Sequence, residues 1–292
     1  MKKLTALLIL FLFVFSLPGC DQILNQKTIY LPLKIISHHD TSDYITEYIY
    51  DRQNHLIRID YYQEIPEGII PSSKYSRVVT TDQNGNVLTV STTDSNDIAY
   101  SFTYDEAGKL LTRKYIRYNI FQTYAAIEEW QYDSQGRILA YHYKENAKNE
   151  SSHYQYNEQG QIVTVSNYRN ADTFLSQMHY SYDNTGKCTK EQLFKSNGDL
   201  LSEKDYVYSG RSITESTYKA SAPENVYSRI KNYDKAGNLI SLDLRGDGTV
   251  DYSYTYKAIK VPVDSPRQIL DPLFEAEDTT EHYFPRNLTT GN

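Results

Sequence analysis

The chain has 292 residues, a formal net charge of −7 at pH 7, 29 tyrosines and two cysteines. Its acidic balance argues against a nucleic-acid partner, and with Cys20 in a leader-like segment only Cys188 remains, so no internal disulfide forms. So much tyrosine, whose ring buries a large area while its hydroxyl needs a partner, points to a β-rich core of aromatic rings with polar tips.

Lys2 and Lys3 open the chain, Leu4 to Phe15 form an apolar run too short to span a bilayer as a helix, and Leu17-Pro18-Gly19-Cys20 follows. Residues 1–20 resemble a bacterial lipoprotein signal peptide ending in a lipobox. The resemblance implies that Cys20 is acylated, with palmitate among its chains, and becomes the mature N-terminus. The protein is then tethered to the bilayer, facing the periplasm or the cell exterior; several acyl chains anchor durably where one does not. Asp21 and Gln22 resemble the signal that keeps enterobacterial lipoproteins in the inner membrane. Without Lys2 and Lys3 the mature chain has 28 basic and 37 acidic residues, a charge of −9. The alternative is an ordinary signal peptide with a chance cysteine.

Residues 21–44 read as a tether and a first strand. His38-His39-Asp40 offers metal-ligand types, but adjacent histidines on a strand point to opposite faces and do not readily meet on one ion.

From 45 to 257 the chain repeats. An acidic or amide residue, two variable residues and glycine recur at Asp82 and Gly85, Asp105 and Gly108, Asp133 and Gly136, Asn157 and Gly160, Asp183 and Gly186, and Asp234 and Gly237. A further copy at Asp51 carries Asn54 in the glycine place, and Tyr208-Ser209-Gly210 is a degenerate one. An aspartate in the first place bonds the backbone two residues on, while the fourth place must take positive φ, which suits glycine best and asparagine next. The pattern fits a type I hairpin turn closed by a left-handed glycine bulge. Weaker return turns fall between, at 170–172, 196–199 and 246–248. About eight units of two strands each result.

One residue before the turn stand Tyr50, Tyr104, Tyr132, Tyr156, Tyr182 and Tyr233, and two earlier Tyr48, Phe102, Trp130, Tyr154 and Tyr180, all on one face by the period of two. Two residues past the glycine place, Leu56, Val87, Leu110, Ile138, Ile162 and Leu239 pair with the turn-preceding residues. The next position is also aliphatic in many copies (Ile57, Leu88, Leu111, Leu139, Val163, Ile240), so part of the second face is expected to be covered too. Otherwise that face is polar, with Glu47, Glu129, His153, His179 and Asp205, which lipid would penalise.

Tyr104-Asp105-Glu106-Ala107-Gly108-Lys109-Leu110 and Tyr132-Asp133-Ser134-Gln135-Gly136-Arg137-Ile138 resemble tyrosine-aspartate (YD) repeats of the RHS type. Larger members of that family build hollow β-shells around a toxin with many more repeats. The expected fold is all-β: an antiparallel meander of about eight β-hairpins, strongly curled or closed, because about sixteen strands exceed what an open twisted sheet sustains. Residues 258–292 lose the repeat, carry four prolines and an acidic run at 275–278, and read as an irregular cap or tail, with Leu270, Leu273 and Phe274 able to cover an open end.

Candidate chemistry is sparse. Asp243, Asp247 and Asp251 match positions one, five and nine of a calcium loop, but Arg245 and Tyr254 stand where two more oxygen ligands belong, so the competing reading is a return turn. His153 and His179 occupy equivalent places four residues before their turns and would share a row if units stack in register. Cys188 takes the place of a buried aliphatic. No serine, histidine and acid grouping has a triad context, and nothing in the chain requires a cofactor. These features predict a non-enzymatic, membrane-anchored envelope lipoprotein whose tyrosine-rich repeat sheet binds another envelope protein or serves as a spacer. The alternatives are a glycan or peptidoglycan binder and an accessory or immunity partner of an RHS-type toxin.

Overall fold

The computed structural model describes residues 26–66, 68–71, 76–93, 98–118, 123–170, 172–263 and 265. The leader-like segment with Cys20 and the tail from residue 266, including Leu270, Leu273 and Phe274, lie outside the described residues.

The described residues form nineteen strands and no helix. β1 (Gln26–His38) precedes eight hairpins: β2 (Asp43–Tyr50) with β3 (Leu56–Ile65), β5 (Arg77–Thr81) with β6 (Val87–Thr92), β7 (Ile98–Tyr104) with β8 (Leu110–Tyr118), β9 (Thr123–Tyr132) with β10 (Ile138–Glu145), β11 (Lys148–Tyr156) with β12 (Ile162–Arg169), β13 (Thr173–Tyr182) with β14 (Cys188–Lys195), β15 (Leu200–Ser209) with β16 (Ser212–Lys219), and β17 (Ala222–Tyr233) with β18 (Leu239–Asp243). β19 (Tyr252–Pro262) ends the array, and β4 (Gly68–Pro71) is a short addition between β3 and β5.

All pairing is antiparallel, and β1 bonds both β2 and β19, so the meander closes on itself as a barrel. β3 holds β4 through Tyr62 to Ile65 and β5 through Arg58 and Ile59, so these two share one place in the ring. Eighteen places remain, an even number, as an all-antiparallel ring requires. β1 and β19 stay paired from Ser37 and Tyr252 out to Gln26 and Pro262, carrying strand structure beyond residue 257, where the repeat motif stops.

Seven of the eight hairpin turns share one construction, the eighth being a two-residue link in which Ser209 pairs with Ser212. At Asp133 the backbone bonds are Gly136 N–H to Asp133 O (2.9 Å) and Asp133 N–H to Arg137 O (2.9 Å). The Asp133 Oδ1 accepts from the N–H groups of Gln135 and Arg137, both at 2.9 Å. Gly136 sits at φ 79°, and Asn54, in the glycine place of the first copy, at φ 64°. At six of the turns the tyrosine before the turn reaches back to the preceding unit. Tyr104, Tyr132, Tyr156, Tyr182 and Tyr208 donate to the carbonyls of Val87, Leu110, Ile138, Ile162 and Cys188 at 2.6–2.9 Å, and Tyr50 donates to Pro32 on β1. The hydroxyl thus satisfies a carbonyl while its ring fills the interior, which phenylalanine could not do.

Immediately beyond the turn the register slips. Tyr132 pairs with Ile138 but Gln131 pairs with Ala140, leaving Leu139 as an extra, bulged residue. The same slip isolates Ile57, Leu88, Leu111, Val163, Thr189 and Ile240. A bulge reverses the facing of all that follows. Ile57, Leu88, Leu111, Leu139 and Ile240 are 36–49% exposed on the outside of the single layer, contrary to the expectation of a second covered face. Through that reversal the fifth residue past the glycine place faces inward in the seven bulged hairpins: Ile59, Val90, Arg113, Tyr141, Val165, Glu191 and Leu242; Glu215 faces inward by plain alternation, paired with Tyr206 in the unbulged β15–β16 hairpin.

The buried apolar side chains form three clusters along the ring. Tyr48, Leu56, Ile59, Val79, Val87, Val90 and Phe102 make one; Tyr154, Ile162, Val165 and Tyr180 a second; Leu239, Leu242 and Tyr254 a third, with Ile35 of β1 touching the first and third across the closure. Deeper along the strands the interior becomes ionic: Arg113 pairs with Glu128, which also accepts from Tyr141 (2.9 Å), Lys231 meets Glu215 (2.5 Å), and Tyr206 donates to Glu191 (2.5 Å). The inner face is therefore apolar and aromatic near the turns and mixes aromatic rings such as Tyr115 and Tyr141 with charged groups deeper in. The outer face carries hydroxyl pairs such as Thr103 with Thr112 (2.8 Å) and ion pairs such as Lys144 with Glu129 (3.0 Å).

Candidate functional site

The two rims of the barrel differ. One bears the eight hairpin turns at Asp51, Asp82, Asp105, Asp133, Asn157, Asp183, Ser209 and Asp234; the other bears the return turns. Strand direction places Gln26 and Pro262 at the first rim, where the β1 and β19 ribbon runs past the first turn and Lys257 Nζ bonds Asn54 Oδ1 at 2.6 Å. Cys20 itself lies outside the described residues, six positions before Gln26.

At the turn rim the other sequence-selected residues act on one another. The carboxylate of Asp82 accepts from Asn84 and Asn86, that of Asp183 from Thr185 and Lys187, and that of Asp234 from Ala236 and Asn238; Asp105 accepts from Lys109, and the amide oxygen of Asn157 from Gln161. Gly85, Gly108, Gly160, Gly186 and Gly237 all take φ between 79° and 84°. The residue after the glycine lies over the next unit: Lys109 over the Tyr132 ring (5.3 Å), Arg137 over Tyr156 (4.4 Å) and Lys187 over Tyr208 (5.0 Å), while Gln161 bonds Gly186 O (3.0 Å). These groups are committed to structure.

On the return rim, Asp243, Asp247 and Asp251 belong to the β18 to β19 connection, and their oxygens are occupied locally. Asp243 accepts the N–H groups of Arg245, Gly246 and Gly248 at 2.6–2.9 Å. Asp251 accepts from Leu244 N–H and the Arg245 guanidinium, and Asp247 from Thr249 N–H. Among the described residues no grouping of three or more metal-ligand side chains converges, so the loop's own amides and Arg245 hold the positions that a calcium ion would need. His38 is engaged through both ring nitrogens, with Asp43 (3.1 Å) and Ser253 (2.9 Å), whereas His39 contacts Ser37 and the Tyr44 ring. Cys188 is half-buried; burial and the nearby Glu191 push its thiol up to about 12, which leaves it protonated and unreactive.

The surface that stands apart is on the outer face of β10 to β14, near the return rim. His142, His153, Tyr168 and Phe174, on four successive strands, form an unbroken row of rings with centroids 6.2, 5.4 and 5.6 Å apart. Beside it, His179 packs on Phe194 at 5.1 Å. Between Phe174 and Phe194 lies a shallow cleft of about 270 Å³, completed by Gln177, His179, Lys195, Ser196 and Gly198. Its polar floor is ordered: the Gln177 amide donates to Ser166 Oγ (3.0 Å), and its oxygen meets His179 Nε2 (2.7 Å). His142 is held below its ordinary pKa by burial and by His153, and so stays neutral. His153 and His179 do share this region, through β12, where they pair with Ser166 and Thr164. Alternation in the sequence does not reveal Phe174, Phe194 and Tyr168, because register slips at Leu175, Thr189 and Val163 turn them outward. An outward aromatic beside a return turn was the available signal.

No protein-family model and no curated protein matches the chain. Among solved structures it is similar to the TcdB2-TccC3 complex without its hypervariable C-terminal region, at 13% identity and a TM-score of 0.40, over 76% of this chain and 14% of that one. It is also similar to porin-like proteins from Bacteroides uniformis (13% identity, TM-score 0.32, 73% of this chain and 62% of that one) and Bacteroides vulgatus (11%, 0.36, 78% and 99%). At these scores neither a shared function nor a shared family follows.

Proposed function

We propose that this is a non-catalytic lipoprotein of the cell envelope, held to the membrane through acylated Cys20 and presenting its closed barrel as a rigid binding module. The lipobox-like sequence supports the anchor, and the YD motifs support an RHS-like kinship. The observation that carries the binding role is the outward aromatic row of His142, His153, Tyr168 and Phe174 with its adjoining cleft. The repeat tyrosines do not serve as the recognition surface: their rings face inward and their hydroxyls are spent on backbone carbonyls. Closure also removes the sheet edge through which a β-protein recruits a strand from a partner.

The placement is coherent with tethering. Six residues of extended chain reach at most about 20 Å, so an anchor at Cys20 keeps the turn rim near the bilayer and turns the return rim, with the aromatic row, away from it. The partner is an envelope protein or a glycan.

The anchor is tested by growing cells with an alkynyl palmitate and comparing the full-length chain with Cys20→Ser. The expected result is a labelled, membrane-bound protein and an unlabelled, released variant. A wild-type chain that is unlabelled and fractionates as a soluble protein overturns the anchored reading.

A further inference from the structure

The cleft between Phe174 and Phe194 has the chemistry of a sugar subsite, and we infer that it seats one pyranose ring of an envelope glycan, with the row from Phe174 to His142 continuing along neighbouring sugars. The inference rests on the binding-module reading above and names its ligand class. A pyranose ring is amphipathic: its C–H faces pack on aromatic carbon, while its edge hydroxyls seek fixed donors and acceptors. Sites of this type are concave, with apolar walls and a few well-placed polar groups. Phe174 and Phe194 are half-buried, and they are braced by Tyr168 and His179. Gln177 is oriented by Ser166 and His179 and keeps a second amide N–H for a ligand. Lys195 and Ser196 add donors at the return-turn edge.

Two features favour a glycan over a protein partner. The cleft holds about 270 Å³, room for one sugar ring with its substituents. Specific protein interfaces need on the order of 1,000 Å² with a desolvated apolar centre, whereas the row here is narrow and flanked by ion pairs such as Lys144 with Glu129.

The test is isothermal titration of the full-length chain in detergent with chitotetraose and, separately, cellotetraose. The variants are Phe174→Ala, Phe194→Ala and Gln177→Ala, with Leu139→Ser, an exposed bulge residue outside the cleft, as control. The expected result is binding of at least one oligosaccharide, weakened ten-fold or more by each cleft variant and unchanged by Leu139→Ser, with thermal unfolding confirming that every variant is folded. Tighter binding of chitotetraose marks an acetamido-sugar polymer, and tighter binding of cellotetraose a neutral glucan. Absence of binding to both sugars overturns the inference, as does binding unaffected by the folded cleft variants. So does loss, in those variants, of a cross-linked protein partner in place of sugar affinity. Because no membrane enters the titration, its failure leaves the acylation of Cys20 standing, and failure of acylation leaves the cleft standing.

Discussion

The turn-proximal half of the barrel interior and the half nearer the return turns solve the same problem in opposite ways. Near the turns, the recurring polar bonds are made to backbone. Tyrosine hydroxyls donate to carbonyls one hairpin back, and aspartate oxygens accept N–H groups of their own turn. Deeper along the strands the partners are side chains, each set different: Arg113 with Glu128 and Tyr141, Tyr206 with Glu191, Lys231 with Glu215. Backbone is the same in every unit, so the residues that bond to it must repeat. Side-chain partners need only match one another, so the sequence there is free to drift. The proposed recognition surface, which must be unique, lies toward that variable end.

The largest effect should come from the variable half. Arg113→Met leaves the buried Glu128 carboxylate without its cation and should cost about 3–5 kcal/mol, read as a shift in the denaturant midpoint, whereas Arg113→Met combined with Glu128→Leu should recover most of the loss. If the single variant unfolds like the wild type, the pair is not a buried unit. In the repeating half, Gly136→Val forces a β-branched residue into φ 79° and brings its Cβ against Lys109 Nζ, a flexible tip that can swing away. The backbone strain remains, and about 1–3 kcal/mol should be lost. Gly198→Val at the return rim, at φ 87° with nothing within 4 Å of the added carbon, should lose only the strain. A neutral Gly136→Val would sink the turn assignment.

This division also explains what the sequence disclosed. The turns, the inward tyrosines and the pairing of Tyr132 with Ile138 are legible because each is set by residues within one hairpin. The bulge at Leu139 and its equivalents was not. It is a backbone event with no residue type of its own, Thr189 occupying the same place as Leu139, and it turns the simple alternation over beyond that point. Counting by two from Ile138 therefore misses that Tyr141 faces inward, and counting from Leu110 misses Arg113. Glu128 was within reach, four residues before Tyr132 on an unbulged strand. The cleft was not, since Tyr168 and Phe194 lie beyond the bulges at Val163 and Thr189 and Phe174 beyond the slip at Leu175, so alternation counted from the turns sets all three rings inward. The histidines could be placed on one row by their equal offsets, but not beside phenylalanines.

A smaller effect isolates the tyrosine staple. Tyr156→Phe keeps the ring under the Arg137 guanidinium but removes the donor to Ile138 O at 2.7 Å, and should cost about 0.5–1.5 kcal/mol. Tyr227→Phe, at a ring 58% exposed near the return rim, should be silent in the same thermal melt. Equal losses would mean that the repeat tyrosines act through their rings alone.

The smallest effect is a pH slope, and it separates the halves without disturbing packing. The Arg137 N–H, outweighing desolvation and aided by the Arg137 side chain and the Gln135 N–H, holds the Asp133 carboxyl below its ordinary range; the Thr185 hydroxyl and the Lys187 N–H do the same for Asp183. Asp82 and Asp234 are also lowered, desolvation being outweighed by the combined bonds from the Asn86 and Asn238 side chains and the turn N–H groups. A depressed folded pKa means that the contribution is fully present above the unfolded value near 3.9 and disappears as pH falls through the lower folded value. Thermal midpoints should therefore fall between about pH 5 and pH 2. The Asp133→Asn and Asp183→Asn double variant should show a shallower fall with little change at pH 7. Asparagine already closes the turn at Asn157, where its amide oxygen accepts the Gln161 N–H at 2.9 Å and does not titrate in this range. An unchanged slope would place the acid sensitivity among the interior carboxylates instead, and the turn aspartates would then matter for their geometry and not for their charge.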